Sequence, residues 1–300
     1  MAKQLIRLGH SPDPDDAFMF YGLARGKVDS GPFEFEHILQ DIQTLNEWAL
    51  EGKLEVTAIS VHAYSHLQNS YAILSSGASM GATELAEYVN ESGHPVDLAQ
   101  PTHTGAHGPM VIAREPLTLD ALQSKTIAIP GKMTSAYLTL QLAIGQVDVE
   151  VLMFDEIIQA VESGQVDAGL IIHEGQLTYG QHGLHCILDL GKWWHDQTGL
   201  PLPLGCNVIR RDLGKEVMSQ VSAILQESIR YSLQYREEAV AYALQFGRGL
   251  DLQLADEFVG LYVNEWTIDY GPNGRKAISE LLTRGKNENL VPEVKALEFV

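Results

Sequence analysis

A histidine and a glutamate directly follow a short apolar run near the middle of the chain. Residues 168–172 are apolar, and glycines lie on either side at Gly164 and Gly175, as is typical of a buried strand. Ligands of open α/β sheets bind beyond the carboxyl ends of the strands, and histidine changes its charge near neutral pH. We therefore predict that His173, followed by Glu174, faces a cleft and does acid–base chemistry. The alternative is a strand-end histidine that hydrogen-bonds a loop.

The turn Pro130-Gly-Lys-Met-Thr-Ser135 is a second candidate site, because it joins a predicted strand to a predicted helix. Thr134 and Ser135 begin that helix. We expect free N–H groups and two hydroxyls to point beyond the strand ends, where they suit a carboxylate or a phosphate. The alternative is an ordinary threonine N-cap.

Three carboxylates occur in the first turn of the chain, Ser11-Pro-Asp13-Pro14-Asp15-Asp16. Asp13 is a favourable N-cap, and Pro14 suits the first position of the helix that follows. Capping accounts for two of the acids. The third indicates a turn that handles hydroxyls or a proton more readily than a bare anion, so Ser11 and Asp15 are candidate ligand-binding residues.

Strands and helices alternate along most of the chain and must position these groups. The first strands are predicted at 4–9, 33–39 and 56–60, and the first helices at 18–24 and 42–50. Ala58, Ile59 and Ser60 end the third strand and should face the same cleft, although Ser60 could instead cap the next helix. Further strands are predicted at 110–113, 126–129, 149–154, 186–189 and 207–210. This alternation predicts an α/β protein with mostly parallel sheets and right-handed crossovers.

Residues 83–107 interrupt the alternation. This polar segment contains several glycines, prolines and histidines, and we interpret it as a helical patch at 84–90 followed by a lid or a surface insertion. His103 and His107 have a spacing that two metal ligands on a helix would show, but Gly105 disfavours that helix and no metal is expected.

Composition narrows the classes of partner. The 300 residues carry a net charge of −19, which disfavours nucleic acid and anionic membranes as partners. The start of the chain indicates a strand rather than a signal peptide, and no stretch reaches the length of a membrane span. With two separated cysteines, we expect a cytoplasmic protein with reduced thiols. Nucleotide-binding motifs are absent from the sequence.

Six segments in this order resemble a known family. They are Ser11-Pro-x-Pro-x-Asp16-x-Phe18, Thr44-Leu-Asn-x-Trp48-Ala-Leu, Gly108-Pro-x-Val-x-Ala-Arg114, Pro130-Gly-x-x-Thr134-x-Ala-Tyr137, Gly169-Leu-Ile-Ile-His173-Glu174 and Trp194-x-x-x-Thr198-Gly-Leu-Pro-Leu-Pro-Leu-Gly205. Together they resemble the 1,4-dihydroxy-6-naphthoate synthases of the futalosine route to menaquinone. The resemblance covers nearly the whole chain except 83–107.

The resemblance implies a fold and an activity. The fold is the two-lobed type II periplasmic-binding-protein-like fold, with a ligand cleft between lobe one (1–108 plus 206–300) and lobe two (109–205). The activity is that of a carbon–carbon lyase, in which His173 is the general base acting on cyclic dehypoxanthine futalosine, a small carboxylate. No metal or organic cofactor is implied. The ligand-contacting residues carried over by the resemblance are Ala58, Ile59, Ser60, Thr134 and Ser135.

The chain departs from the family pattern around the expected cleft. Asp13, Asp15 and Ala17 stand where the family typically has Cys, Asn and Thr, while Ala58 and Met133 stand where it often has Lys and His. Loss of a cation and gain of carboxylates would weaken the hold on a carboxylate substrate. Two other functions therefore stay open: a chorismate dehydratase like the sister enzyme of the pathway, and a non-catalytic binding protein of the same fold.

Overall fold

The computed structural model describes residues 3–81, 107–247 and 249–300. Most of the polar segment at 83–107 lies outside these ranges, including its predicted helical patch and His103. His107 lies within them, and its Nε2 is 2.7 Å from the carbonyl oxygen of Leu261.

The order of elements follows the predicted alternation. The strands are β1 (Gln4–His10), β2 (Phe33–Leu39), β3 (Val56–Ser60), β4 (Tyr71–Ile73), β5 (Ser79–Gly81), β6 (Met110–Ala113), β7 (Thr126–Ile129), β8 (Asp148–Val151), β9 (Ala168–Ile171), β10 (His185–Asp189) and β11 (Leu202–Arg210). The helices before β11 are α1 (Pro14–Ala24), α2 (Ile42–Leu50), α3 (Val61–Leu67), α4 (Leu119–Leu122), α5 (Ser135–Ile144), α6 (Ile157–Ser163), α7 (Gly175–Thr178) and α8 (Leu190–Thr198). The helices after it are α9 (Lys215–Gln234), α10 (Arg236–Ala243), α11 (Leu252–Tyr262), α12 (Glu265–Ile268) and α13 (Gly271–Asn287).

The first sheet has the strand order β2-β1-β3-β11-β4, with β5 paired to β11. β1 runs parallel to β2 and β3, so their carboxyl ends meet at one edge. β11 returns from the other half of the chain and runs antiparallel to β3, with Asn207 opposite Ala58. The carboxyl end of β3 therefore lies beside the amino-terminal half of β11.

The second sheet has the order β10-β6-β9-β7-β8. β7 runs parallel to β8 and β9, and β6 runs antiparallel to β9 and β10. The carboxyl ends of β7 and β9 consequently share an edge, which brings the turn at 130–135 near the segment that begins at Ile172.

The protein is thus an α/β protein with two mixed sheets flanked by helices, as predicted. Parallel pairing, however, does not predominate in the two sheets. The prediction was wrong on that point because β6, β10 and β11 all run antiparallel to their neighbours. β11 also begins at Leu202 rather than Asn207, since Leu202 and Pro203 already pair with β5. Apolar periodicity identifies a strand but carries no information about its direction.

The predicted boundaries of the two lobes stay a prediction. Leu202 and Pro203, which we assigned to the second lobe, contribute to the first sheet through β11. One apolar cluster also joins the two sheets, because Ile59 and Val208 from the first lie in the same cluster as Val111 and Ile127 from the second. The two sheets therefore share part of one apolar core.

None of the helices in the described ranges combines the length and the apolar character that crossing a membrane requires.

Candidate active site

A cavity lies between the two sheets, at the edges where their strands end. It contains about 750 Å³ of space not filled by atoms, including the open space at its mouth. The first sheet contributes the ends of β3 and the start of β11, and the second contributes the start of α5 and Ile172. The cavity brings together Ser11, Asp15, Ala58, Ile59, Ser60, Thr134 and Ser135. These are all the residues predicted to contact a ligand, and that role stays a prediction.

The first turn places its carboxylates against the cavity through a local hydrogen-bond network. Ser11 donates its N–H to Asp16 Oδ2 at 2.6 Å and its hydroxyl to Asp13 Oδ2 at 2.9 Å. Asp13 occupies the N-cap position of α1, as predicted, but its side chain makes no capping hydrogen bond. The Asp13 carboxylate instead accepts from Ser11, so capping does not account for this acid.

Burial sets the ionisation of the other two acids. The pKa of Asp16 is raised to about 7 by burial, which outweighs the opposing effect of the Ser11 N–H. The pKa of Asp15 is raised well above its ordinary value, first by burial and then by the neighbouring charges of Asp16 and Asp13. Carboxyl groups this close in a dry environment favour protonation of at least one member, so the turn can donate as well as accept a proton.

The start of α5 presents backbone groups rather than hydroxyls to the cavity. Thr134 Oγ1 donates to the carbonyl of Gly131 at 2.8 Å and accepts the Tyr137 N–H at 3.2 Å. Ser135 Oγ donates to the carbonyl of Leu204 at 2.6 Å and accepts the His62 N–H at 3.1 Å. Both hydroxyls, which we expected to point at a ligand, are thus used to hold the turn.

Two N–H groups at this turn stay available to an anion. Ser135 and Ala136 are the first residues of α5, where helix geometry leaves the N–H groups without intrahelical acceptors. Both residues line the cavity. The helix start therefore suits a carboxylate, as predicted, although through the backbone alone.

His62 supports the same turn from the first half of the molecule. Its Nδ1 lies 3.2 Å from the carbonyl oxygen of Thr134, which can only accept, so this nitrogen carries a proton. Burial lowers the pKa of His62 to about 4. His62 is therefore a buried, neutral residue that supports the site.

His173 lies beside the cavity but is not among the residues that line it. Its neighbour Ile172 does line the cavity. The His173 ring is buried, lies 5.1 Å from the Phe154 ring, and accepts the Gly175 N–H on Nδ1 at 3.2 Å. In the neutral ring the proton is then on Nε2. The loop hydrogen bond considered as the alternative is therefore present, and it does not exclude acid–base chemistry.

Sequence reasoning missed several residues at the site, among them one from β11 and two from α11. Asn207, Phe258 and Tyr262 line the cavity, and Tyr262 donates its hydroxyl to Gln176 Oε1 at 2.6 Å. Asn207 was predicted as the start of a strand, and the others lie in α11 and α7. Their spacing along the chain gives no signal, because the fold brings them together from separate regions of the sequence.

Trp193 and Trp194 belong to α8 rather than to a wall of the cavity. Trp194 is fully buried and donates its Nε1–H to the carbonyl of Pro201 at 3.0 Å. The residues of this region that reach the cavity are Leu204 and Gly205. The tryptophans thus pack in and against the core.

In the described ranges, no group of three or more histidine, cysteine and acidic side chains is placed to hold a metal. The pair His103 and His107 is only half described, so this finding does not bear on it.

Two sheets with a ligand-sized cavity between them define the class of periplasmic-binding-protein-like folds. The alkanesulfonate-binding protein SsuA from Xanthomonas axonopodis pv. citri, solved with MOPS bound, has a TM-score of 0.68 to this chain at 13% identity, covering 98% of this chain and 96% of its own. A similarity at that identity establishes the fold alone. The predicted periplasmic-binding-protein-like fold is confirmed.

The chain belongs to the menaquinone biosynthesis family, whose model matches residues 6–84 and 103–287. It is 38% identical over 288 residues to the 1,4-dihydroxy-6-naphthoate synthase of Thermus thermophilus, covering 96% of each chain. It is 34% identical over 299 residues to the enzyme of the same name from Streptomyces coelicolor, covering 97% of this chain and 96% of the relative. The crystal structure of the protein AF1704 from Archaeoglobus fulgidus has a TM-score of 0.85 at 42% identity, covering 96% of this chain and 98% of its own.

Proposed function

We propose that this protein is a 1,4-dihydroxy-6-naphthoate synthase, a lyase of menaquinone biosynthesis that acts on cyclic dehypoxanthine futalosine. Near-full-length similarity to two synthases of that name supports the reaction. The observation that carries the proposal at the level of the site is the assembly of all seven predicted ligand-contacting residues around one cavity.

The start of α5 fits a substrate carboxylate. Ser135 and Ala136 offer N–H groups at the positive end of the α5 dipole. No lysine or arginine is among the described residues that line the cavity. Neutral backbone donors therefore hold the anion against a net charge of −19.

We assign the general base to His173. A base removes a proton from the substrate, and the electrons that this releases allow the bond to the sugar-derived fragment to break as the ring system becomes aromatic. His173 would take that proton on Nδ1, the nitrogen that carries none, after the hydrogen bond from Gly175 opens on ligand binding. A cytoplasmic location and closure of two lobes over the ligand complete the proposal.

Conversion of cyclic dehypoxanthine futalosine to the naphthoate, followed by chromatography, tests the function. His173→Gln should lower kcat by about 10²–10⁴-fold while substrate binding changes little. His182→Gln is the matched control, because His182 is an exposed histidine paired with Glu162, and it should retain full activity. Unchanged kcat in His173→Gln would remove the base assignment alone. If the unmodified protein forms no product but chorismate raises its melting temperature, the dehydratase-like function replaces the proposed one.

A further inference from the structure

Asn207 is a buried polar residue at the cavity whose side chain is only partly satisfied by the protein. It lies in β11 opposite Ala58 of β3 and is 2% exposed. Asn207 lines the cavity together with Gly77 and residues of the first turn.

The orientation of the Asn207 amide follows from its contact with Gly77. Asn207 Nδ2 lies 3.4 Å from the carbonyl oxygen of Gly77, which can only accept, so the nitrogen must face it. Gly77 has a φ of +85°, and a Cβ there would lie 2.1 Å from Asn207 Nδ2. Only glycine allows this approach, and the contact locks the side chain in place.

The locked amide leaves its oxygen without a donor. In the ranges that the structure describes, Asn207 Oδ1 has no hydrogen-bond partner, and the atom is fully shielded from solvent by the surrounding protein. A buried acceptor without a donor costs free energy, which a hydrogen bond from a ligand would recover. Because Asn207 lines the cavity, a shift of the side chains around it on ligand binding would bring this oxygen to a donor of the ligand and satisfy it.

The first turn lines the same cavity with further oxygen atoms. Asp13, Asp15 and Asp16 all lie in its lining, and Ser11 satisfies one oxygen each of Asp13 and Asp16. Asn207 and the residues of the first turn thus add acceptors to the cavity lining, whereas the start of α5 offers donors. These two groups of residues differ in hydrogen-bonding character and therefore favour one orientation of an asymmetric ligand.

We propose that Asn207 and the first turn form a subsite for an uncharged, hydroxyl-bearing part of the ligand, with Asn207 Oδ1 accepting a hydrogen bond from a ligand hydroxyl. The carboxylate of the same ligand binds at the start of α5. A hydroxyl fits better than a cation, because burial favours the protonated form of Asp15, and a protonated acid donates to a hydroxyl oxygen but does not attract a positive charge.

This subsite rests on the proposed function for the identity of the ligand. In cyclic dehypoxanthine futalosine, the hydroxyl-bearing part is the sugar-derived fragment that the reaction removes. The aromatic product lacks that fragment, so Asn207 should contribute to binding the substrate and not the product. That difference separates a subsite residue from one that merely supports the fold.

Isothermal titration of the substrate and of the naphthoate product tests the subsite, in a His173→Gln background that prevents turnover. Asn207→Leu should weaken the Kd of the substrate about tenfold or more and change the Kd of the product less than about threefold. Ser76→Ala is the matched control: Ser76 is a buried side chain beside Gly77 whose Oγ has no partner in the described ranges, and it does not line the cavity. It should alter neither Kd.

A second variant shows whether weaker binding by Asn207→Leu comes from misfolding or from the lost acceptor. Asn207→Asp is isosteric, and in its protonated form it donates to Gly77 and keeps the accepting oxygen. Burial at this position favours the protonated form of an aspartate, so at about pH 5.5 the variant should bind the substrate within about threefold of the parent. Equal substrate affinities of the parent and a folded Asn207→Leu would overturn the subsite, as would equal losses for substrate and product. Turnover by the unmodified protein is measured alongside, and its absence counts against the proposed function whatever Asn207 does. If neither compound binds the parent, both proposals fall.

Discussion

At the scale of single residues, buried acids and buried histidines give the stability of this protein opposing dependences on pH. Burial raises the pKa of Asp16 to about 7 and lowers that of His10 to about 3 and that of His62 to about 4. Asp16 therefore contributes stability that is fully present below its unfolded pKa, near 4, and is lost as the pH rises towards 7. The histidines contribute stability that is present above their unfolded pKa, near 6.5, and is lost as the pH falls.

Asp16→Asn isolates the contribution of the acid. Its amide oxygen can still accept the Ser11 N–H, but it cannot ionise. Between about pH 5 and about pH 7.5, the free energy of unfolding should fall less, or rise more, in this variant than in the parent. Urea unfolding at the two pH values measures this difference, and Asp120→Asn, at the exposed start of α4, controls for loss of a carboxylate near a helix start. Identical pH dependences of the parent and Asp16→Asn would contradict the role of Asp16.

At the scale of elements, the start of α5 uses different chemical groups to hold its turn and to bind a ligand. The hydroxyls of Thr134 and Ser135 bond to Gly131, Tyr137, Leu204 and His62. The backbone N–H groups of Ser135 and Ala136 stay available to bind an anion. The hydroxyls therefore affect binding through the position of the helix, which is an effect on affinity more than on the chemical step.

Thr134→Ala should lower the free energy of unfolding by about 1 kcal/mol, the usual cost of losing a threonine N-cap, and should raise KM several-fold with a smaller effect on kcat. Thr118→Ala is the matched control, because Thr118 Oγ1 accepts the Ala121 N–H in the same way at the start of α4. It should lower stability to a similar degree without affecting KM. Chemical unfolding and steady-state kinetics on both variants check this, and equal KM changes would show that general destabilisation is responsible.

At the scale of the whole molecule, hydrogen bonds between α2 and the turn after β7 join the two halves that carry the two sheets. Gln43 of α2 accepts the Met133 N–H at 3.1 Å, and Asn46 of the same helix donates to the Met133 carbonyl at 3.4 Å. Gly131 makes this approach possible, since a Cβ there would lie 2.2 Å from Gln43 Oε1. α2 thereby fixes the position of the turn after β7 relative to the first sheet.

A double-mutant cycle on Gln43→Ala and Gly131→Ala tests this junction. Each change should remove the hydrogen bond between Gln43 and Met133, since an alanine at position 131 displaces the Gln43 amide. The double variant should then be more stable than the sum of the two single losses predicts, by about 0.5–1.5 kcal/mol of unfolding free energy. Pairing Gly131→Ala with Gln123→Ala, whose side chain donates to Ile144 instead, should give additive losses. Additivity in the Gln43 cycle as well would mean that the junction does not couple the halves.

The sequence by itself determined the local elements of the fold and several of the residues around the cavity. The predicted bounds of β2, α2 and β3 are confirmed to the residue, because alternation and helical periodicity are properties of neighbouring residues. The cavity residues Ser11, Ser60 and Thr134 were predictable for a similar reason. Each follows or ends a strand, and the carboxyl ends of parallel strands share one edge.

Tertiary structure alone decided the direction of β11, the environment of each polar atom and the contribution of distant residues. Asn207 lines the cavity because β11 returns antiparallel to β3, and no local pattern encodes that direction. The hydroxyls of Thr134 and Ser135 hold the turn because Leu204 and His62 reach them from distant parts of the chain. Local periodicity specifies which residues are buried, whereas the partner of a buried polar group depends on contacts between residues far apart in sequence.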